Sequence, residues 1–164
     1  MTGPYGATPP PTGPGPAASR APGAVLFACR QNAVRSPMAA AILRHLAGTR
    51  IYVASAGVRT GILDPFAVAA MHEIGMDISG HTARSFADLH DTNFDLIISL
   101  APEAHHRAME LTRTMAITAL YWPTIDPTLA SGNREQILQG YREVRDTLIG
   151  QIRQRFYRPA APNA

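Results

Sequence analysis

Between Gly23 and Tyr157, short continuous apolar runs alternate with stretches in which apolar residues recur every three or four positions. The first kind suits a strand buried on both faces, the second a helix with one buried side. Ala24-Val25-Leu26-Phe27-Ala28 is the first such strand. Pro37 to Leu46 is the first helix, with Ser36 as N-cap and Pro37 at the first helical position. Arg50 to Ala54 reads as a second strand, closed by a turn-like Ser55-Ala56-Gly57. Asp64-Pro65 opens a helix through Ile74, with Gly75 as its stop. Residues 76–91 keep no period and should be mostly irregular, with one short helical turn. Phe94 to Leu100 is the strongest strand, Pro102 starts a helix to about Leu111, and Met115 to Tyr121 is a fourth strand. Trp122 to Ser131 is a loop carrying Pro123 and Asp126-Pro127. In the last segment, Ile137, Tyr141, Val144, Leu148, Ile152 and Phe156 draw one apolar stripe along a helix from about Asn133 to Phe156.

This alternation implies an α/β fold: a four-stranded parallel sheet with helices on both faces, three layers in a single domain over residues 23–158. Ligands in such sheets bind beyond the C-terminal ends of the strands. The loop after the first strand and the loop after the fourth both lie there. Cys29 and Asp126 can therefore face one pocket despite their separation in sequence.

Composition narrows the picture. A chain of 164 residues with 46% hydrophobic content can build one ordinary core. Residues 1–22 hold half the prolines and one charged side chain, Arg20, and are expected to form a disordered tail. Residues 159–164 should be loose as well. The formal charge of +3 suits an anionic substrate. Many of the arginines fall in the last helix, where a solvated face accounts for them, and no basic cluster interleaved with aromatics points to nucleic acid. No apolar stretch reaches the roughly 20 residues of a membrane span, and no signal-peptide pattern opens the chain. A single cysteine allows no internal disulfide, which fits the cytoplasm and leaves the thiol free.

That thiol opens the segment Cys29-Arg30-Gln31-Asn32-Ala33-Val34-Arg35-Ser36, a tight loop between a strand and a helix. Loop N–H groups and the positive end of a helix converge on one point, which makes an anion site. A helix N-terminus and a nearby cation favour the thiolate, the attacking form of cysteine. Arg35 offers a planar fork for two phosphate oxygens. Ser36 caps the helix whatever the chemistry. Asp126 suits a general acid and base, and equally a turn residue before Pro127. His105 and His106 point apart on a helix, and no ligand cluster for zinc or iron is evident.

The C-x5-R-S loop after an apolar strand resembles that of the low-molecular-weight protein tyrosine phosphatases and their arsenate-reductase relatives. The likeness extends to Ser55-Ala56-Gly57, His81-Thr82-Ala83-Arg84 and Asp126-Pro127, and covers residues 24–156. It implies a phosphatase that hydrolyses phosphate monoesters, phosphotyrosine proteins or small aryl phosphates, through a phosphocysteine, without a cofactor. In that reading Cys29 is the nucleophile and Arg30, Gln31, Asn32, Ala33, Val34 and Arg35 hold the phosphate. Ser36 steadies the sulfur, Asp126 is the general acid, and Asn32, Ser55 and His81 brace the loop. Three positions depart from the family. Gln31 stands where glycine is usual, Val34 replaces a second cysteine, and Thr128 and Leu129 replace aromatic walls. Tyr121 and Trp122 are the expected substitutes for those walls. Two alternatives stay open. One is an arsenate–thiol transferase working with a single cysteine, since a relay through further cysteines is not available in this chain. The other is a catalytically impaired protein that binds phospho-ligands.

Overall fold

The computed structural model describes residues 22–90 and 93–157. The expected tail and the last six residues lie outside that range, apart from Pro22. Four parallel strands form one sheet in the order β2-β1-β3-β4: β1 (Ala24–Cys29), β2 (Tyr52–Gly57), β3 (Leu96–Ser99) and β4 (Thr118–Tyr121). Four helices connect and cover it: α1 (Arg35–Ala47), α2 (Pro65–His72), α3 (Pro102–Leu111) and α4 (Arg134–Phe156). The three-layer α/β architecture read from the sequence is the one found.

β1 is central, with β2 on one side and β3 on the other, so the chain reverses its order of strand addition beside β1. A crevice at the C-terminal ends of the strands belongs at that switch point. Val25 and Phe27 face the core shared with α1, α2 and α4, whereas Leu26 and Ala28 face the smaller core under α3. Burial on both faces is why β1 reads as a continuous apolar run rather than an alternating one.

Several boundaries differ from the sequence reading. Ser55-Ala56-Gly57 is not a turn; it is the end of β2, and it pairs residue for residue with Phe27, Ala28 and Cys29. Small residues there let β2 lie close beneath the loop that follows β1. Ser36 is not an N-cap either. α1 begins at Arg35 after Val34, with no side chain capping it. Asp64 does cap α2, accepting from the Phe66 N–H at 2.8 Å, and Pro65 is its first residue. Asn133 and Gln136 cap α4 reciprocally, as a capping box.

The stripe on α4 is buried at Tyr141, Val144, Leu148 and Ile152, with Leu138 added to it. The arginines of α4 are more than a solvated face. Arg145 is buried, and its Nη1 donates to the Ala70 carbonyl (2.7 Å) and to Glu73 (2.9 Å). Arg142 forks onto both oxygens of the same carboxylate, with Nε shared between Oε1 and Oε2 and Nη2 on Oε2. The Arg142 hydrogen bonds, joined by those of Arg145, hold Glu73 down to about 2 and clamp α2 to α4. Among the described residues no helix is long and apolar enough to cross a membrane.

Candidate active site

The loop from Cys29 to Val34 leaves β1 at its C-terminal end and turns into α1. The backbone carbonyls of Cys29 to Ala33 are all taken by groups outside the loop. Val58, Arg59 and Gly61 donate their N–H groups to Cys29, Arg30 and Gln31 at 2.9–3.1 Å. The Asp64 N–H reaches the Ala33 carbonyl at 3.2 Å, and His81 Nε2 lies 2.9 Å from the Asn32 carbonyl. A trans peptide points its carbonyl and the next N–H in opposite directions. Tying the carbonyls outward therefore aims the N–H groups of residues 30–34 inward, and the Asn32 N–H meets the Cys29 sulfur at 3.3 Å. The result is a concave row of donors at a helix N-terminus, a cradle for a tetrahedral anion.

Asn32 fixes the bend. It is the single non-glycine residue with positive φ (55°) among the described residues, a conformation asparagine tolerates better than most side chains. Gln31, the departure from the family pattern, does not occupy that region of backbone space, so the absence of glycine imposes no φ penalty there. Both ends of the Asn32 amide are engaged. Nδ2 donates to Ser36 Oγ (2.8 Å) and Ser55 Oγ (2.9 Å), and Oδ1 accepts from the Arg84 N–H (2.9 Å).

Cys29 is buried, and its sulfur sits 2.8 Å from Ser36 Oγ. Because Asn32 donates to Ser36, the hydroxyl hydrogen is free to point at the sulfur, and the Ala56 carbonyl is a longer option at 3.5 Å. Ser36 gives up capping geometry for this contact. His81 donates from Nε2, since a carbonyl can only accept, and burial holds its imidazole below the ordinary value of 6.5. The Arg44 and Arg84 charges add to that shift, while the Asn32 hydrogen bond opposes it.

Gly57 lets β2 reach the cradle. A Cβ there would fall 2.7 Å from the Asn32 nitrogen and 2.5 Å from the Arg59 carbonyl oxygen. Behind the loop, Tyr141 of α4 donates to Asp64 Oδ2 at 2.5 Å; burial first and that bond second push the phenol well above its ordinary pKa. Asp64 thus joins α2, α4 and the cradle at one residue.

Arg35, 8% exposed, donates from Nη1 to the Thr124 carbonyl at 3.0 Å. That bond ties the cradle to the loop after β4, which carries Asp126. Asp126 caps the short turn Pro127–Leu129, with Oδ1 accepting from the Thr128 N–H (3.0 Å) and hydroxyl (2.6 Å). Oδ2 has no hydrogen bond among the described residues. Asp126 is both a turn residue and a wall of the cleft. The cleft holds about 180 Å³ and is lined on one side by Cys29, Arg30, Gln31, Ala33, Val34 and Arg35. Asp126, Thr128 and Leu129 line the other. A thiol, a guanidinium, a row of amides and a carboxylate converging on one cleft can bind an oxyanion, attack it and move a proton. Among the described residues no cluster of three or more His, Cys, Asp or Glu is placed to hold a metal ion.

A model of the family described as low molecular weight phosphotyrosine protein phosphatase matches residues 24–154. The chain belongs to this family. Among relatives in the family, the arsenate reductase of Bacillus licheniformis is 33% identical over 136 residues, 80% of this chain and 93% of that one. The glutaredoxin arsenate reductase of Synechocystis is 37% identical over 76 residues, which span 46% of this chain and 58% of that protein. Among solved structures, the low molecular weight protein tyrosine phosphatase of T. tengcongensis superposes with a TM-score of 0.67 at 26% identity. That match covers 79% of this chain and 94% of the other.

Within this family member, Tyr121 and Trp122 are not the walls they were expected to be. Tyr121 stacks on His105 of α3 with centroids 4.8 Å apart, and Trp122 turns inward onto Phe27. Neither residue lines the cleft. The residues after Asp126-Pro127 take the wall instead: Thr128 and Leu129, the latter 82% exposed. Thr124, whose carbonyl anchors Arg35, and Gly57, Gly61 and Asp64, which brace the cradle, also went unassigned. Two glycines within five residues were the available signal.

Proposed function

We propose that the chain hydrolyses phosphate monoesters through a phosphocysteine at Cys29. The convergence of Cys29, the inward amides, Arg35 and Asp126 on one small cleft carries this reading. The cradle amides and the Arg35 fork hold the three non-bridging oxygens, and their charge is stabilised as it builds in the transition state. The Cys29 thiolate attacks phosphorus in line. The phosphorus–oxygen bond to the alcohol breaks, and Asp126 hands its proton to the departing oxygen. Asp126, now a carboxylate, takes a proton from water as the water attacks phosphorus. The sulfur–phosphorus bond then breaks, inorganic phosphate leaves, and the Ser36 hydroxyl steadies the returning thiolate. Asn32, Ser55 and His81 act as positioning residues for the loop.

A second reading, transfer of arsenate to a small thiol, is favoured by the arsenate reductases among the relatives. It needs a single nucleophile. A disulfide relay within the chain would need more than the one cysteine present.

Hydrolysis of an aryl phosphate by wild type, Cys29→Ser and Asp126→Ala tests the first reading. Cys29→Ser should abolish turnover, and Asp126→Ala should slow it by about 10²–10⁴-fold with a poor leaving group. Wild-type rates in Cys29→Ser would refute the mechanism, and equal rates in Asp126→Ala would remove that residue from the acid role. Arsenate-dependent consumption of glutathione or mycothiol, without ester turnover, would establish the second reading instead.

A further inference from the structure

The cleft over Cys29 is too small for a whole substrate. Its volume of about 180 Å³ falls below the roughly 300–1,000 Å³ of pockets that enclose small organic molecules. It takes the phosphoryl group and little more. A second cavity of about 550 Å³ lies directly beside it, between the Asp126 loop and α4. Asp126 and Leu129 line both. The larger cavity is a mainly apolar groove built from Pro123, Ile125, Pro127, Ala130 and Val144, with its floor opened by Gly140, which has no side chain. Ile125 and Leu129, both 82% exposed, stand at its edge without burial to account for them. Thr124, Asp126, Glu143 and Thr147 are its polar members, and the two carboxylates disfavour a second anion there.

Resting on the phosphatase reading, we propose that this groove is the subsite for the leaving group, and that the preferred substrates are phosphate monoesters of apolar alcohols. The argument is one of continuity. The ester oxygen must depart toward Asp126 to be protonated, and Asp126 is the wall the cleft shares with the groove. An organic group attached to that oxygen is delivered to the groove's mouth at Leu129. The volume and apolar lining then decide what fits: an alkyl or aryl group of several carbons rather than a charged one.

The test uses methyl-, butyl- and hexylphosphonate, which present the oxyanion on a carbon that cannot be cleaved. Their affinities are measured by calorimetry on the wild-type protein, Gly140→Leu and Thr147→Trp. Neither substituted residue belongs to the cradle. A Cβ at Gly140 would lie at an ordinary 3.5 Å from the Ala130 Cβ, so a leucine there can fold and project into the groove. Thr147→Trp blocks the same space from another position. Wild type should bind more tightly along the series, by about two- to fourfold per methylene. Both variants should flatten the series while leaving methylphosphonate affinity unchanged. Affinities that do not rise with chain length in wild type, or that rise equally in both variants, overturn the proposal. Ester hydrolysis with a flat phosphonate series defeats the proposal alone. A rising series that both variants flatten, in a protein without ester turnover, defeats the phosphatase reading and leaves the groove standing. No binding by any phosphonate defeats both.

Discussion

Asn32 bears more of the cradle than any other side chain. Its backbone makes the one left-handed bend and its amide joins Ser36, Ser55 and the Arg84 N–H. Asn32→Gly keeps the bend and removes the side-chain bonds, which should cost about 2–4 kcal/mol. Asn32→Ala should lose about 0.5–1 kcal/mol more, the strain of positive φ less the extra unfolded-state entropy of glycine. Urea midpoints of the two variants check both the loss and its order. His81 supplies a pH dependence. Because its folded pKa lies below 6.5, the unfolded state binds the proton more readily. Its contribution is therefore full above about 6.5 and falls as pH drops through the window below that value. His81→Gln keeps a donor for the Asn32 carbonyl but cannot titrate, so its stability should fall less than that of wild type between pH 7 and 5.5. Equal losses would detach the pH effect from His81. At this scale the sequence was informative about chemistry and poor about geometry. Cys29, Arg35 and Asp126 meet in one cleft as expected, yet the left-handed residue is Asn32 rather than Gln31, where glycine is usual, because φ cannot be read from residue type alone.

The elements with both a local signal and a buried face were legible. α2 announced its cap, α4 its apolar stripe and β1 its two-sided burial, while α3 starts at Pro102 as read. Two misreadings share one cause: residues whose conformation is set by tertiary contact with the cradle. Ser55-Ala56-Gly57 looks like a turn by composition, but it is a strand because small residues are what β2 needs to pass under the loop. Ser36 looks like a cap, but its hydroxyl is spent on the sulfur. Gly57→Ala tests how closely β2 and the cradle are coupled. The added methyl would meet backbone atoms at 2.5–2.8 Å, so the loop must shift. A displacement of this size should lower kcat by about 10²-fold, with a far smaller effect on the unfolding midpoint than on rate. An unchanged kcat would mean the cradle does not need its close approach to β2. Trp122 marks the limit of sequence reading at this scale. Whether an aromatic after β4 faces the cleft or Phe27 depends on the twist of an edge strand, which no local pattern records.

The whole molecule reduces to one topological fact. A parallel sheet reverses its order beside β1, and the crevice so formed receives the β1–α1 loop and the loop after β4. The alternation of apolar runs implies the parallel sheet and puts both loops at one end of it, whereas the strand order is set by the packing; the family match spans residues 24–154. The chemistry proposed for the crevice needs a covalent bond between phosphorus and the sulfur of Cys29. Asp126→Ala should form that bond with an aryl phosphate whose alcohol needs no proton, then hydrolyse it slowly for want of a base. Rapid quenching followed by intact-protein and peptide mass spectrometry reads the intermediate directly. The account predicts one phosphoryl group per chain, on Cys29, in Asp126→Ala and none in Cys29→Ala. An unlabelled Asp126→Ala protein that still turns the ester over, or a phosphoryl group on any other residue, would contradict it.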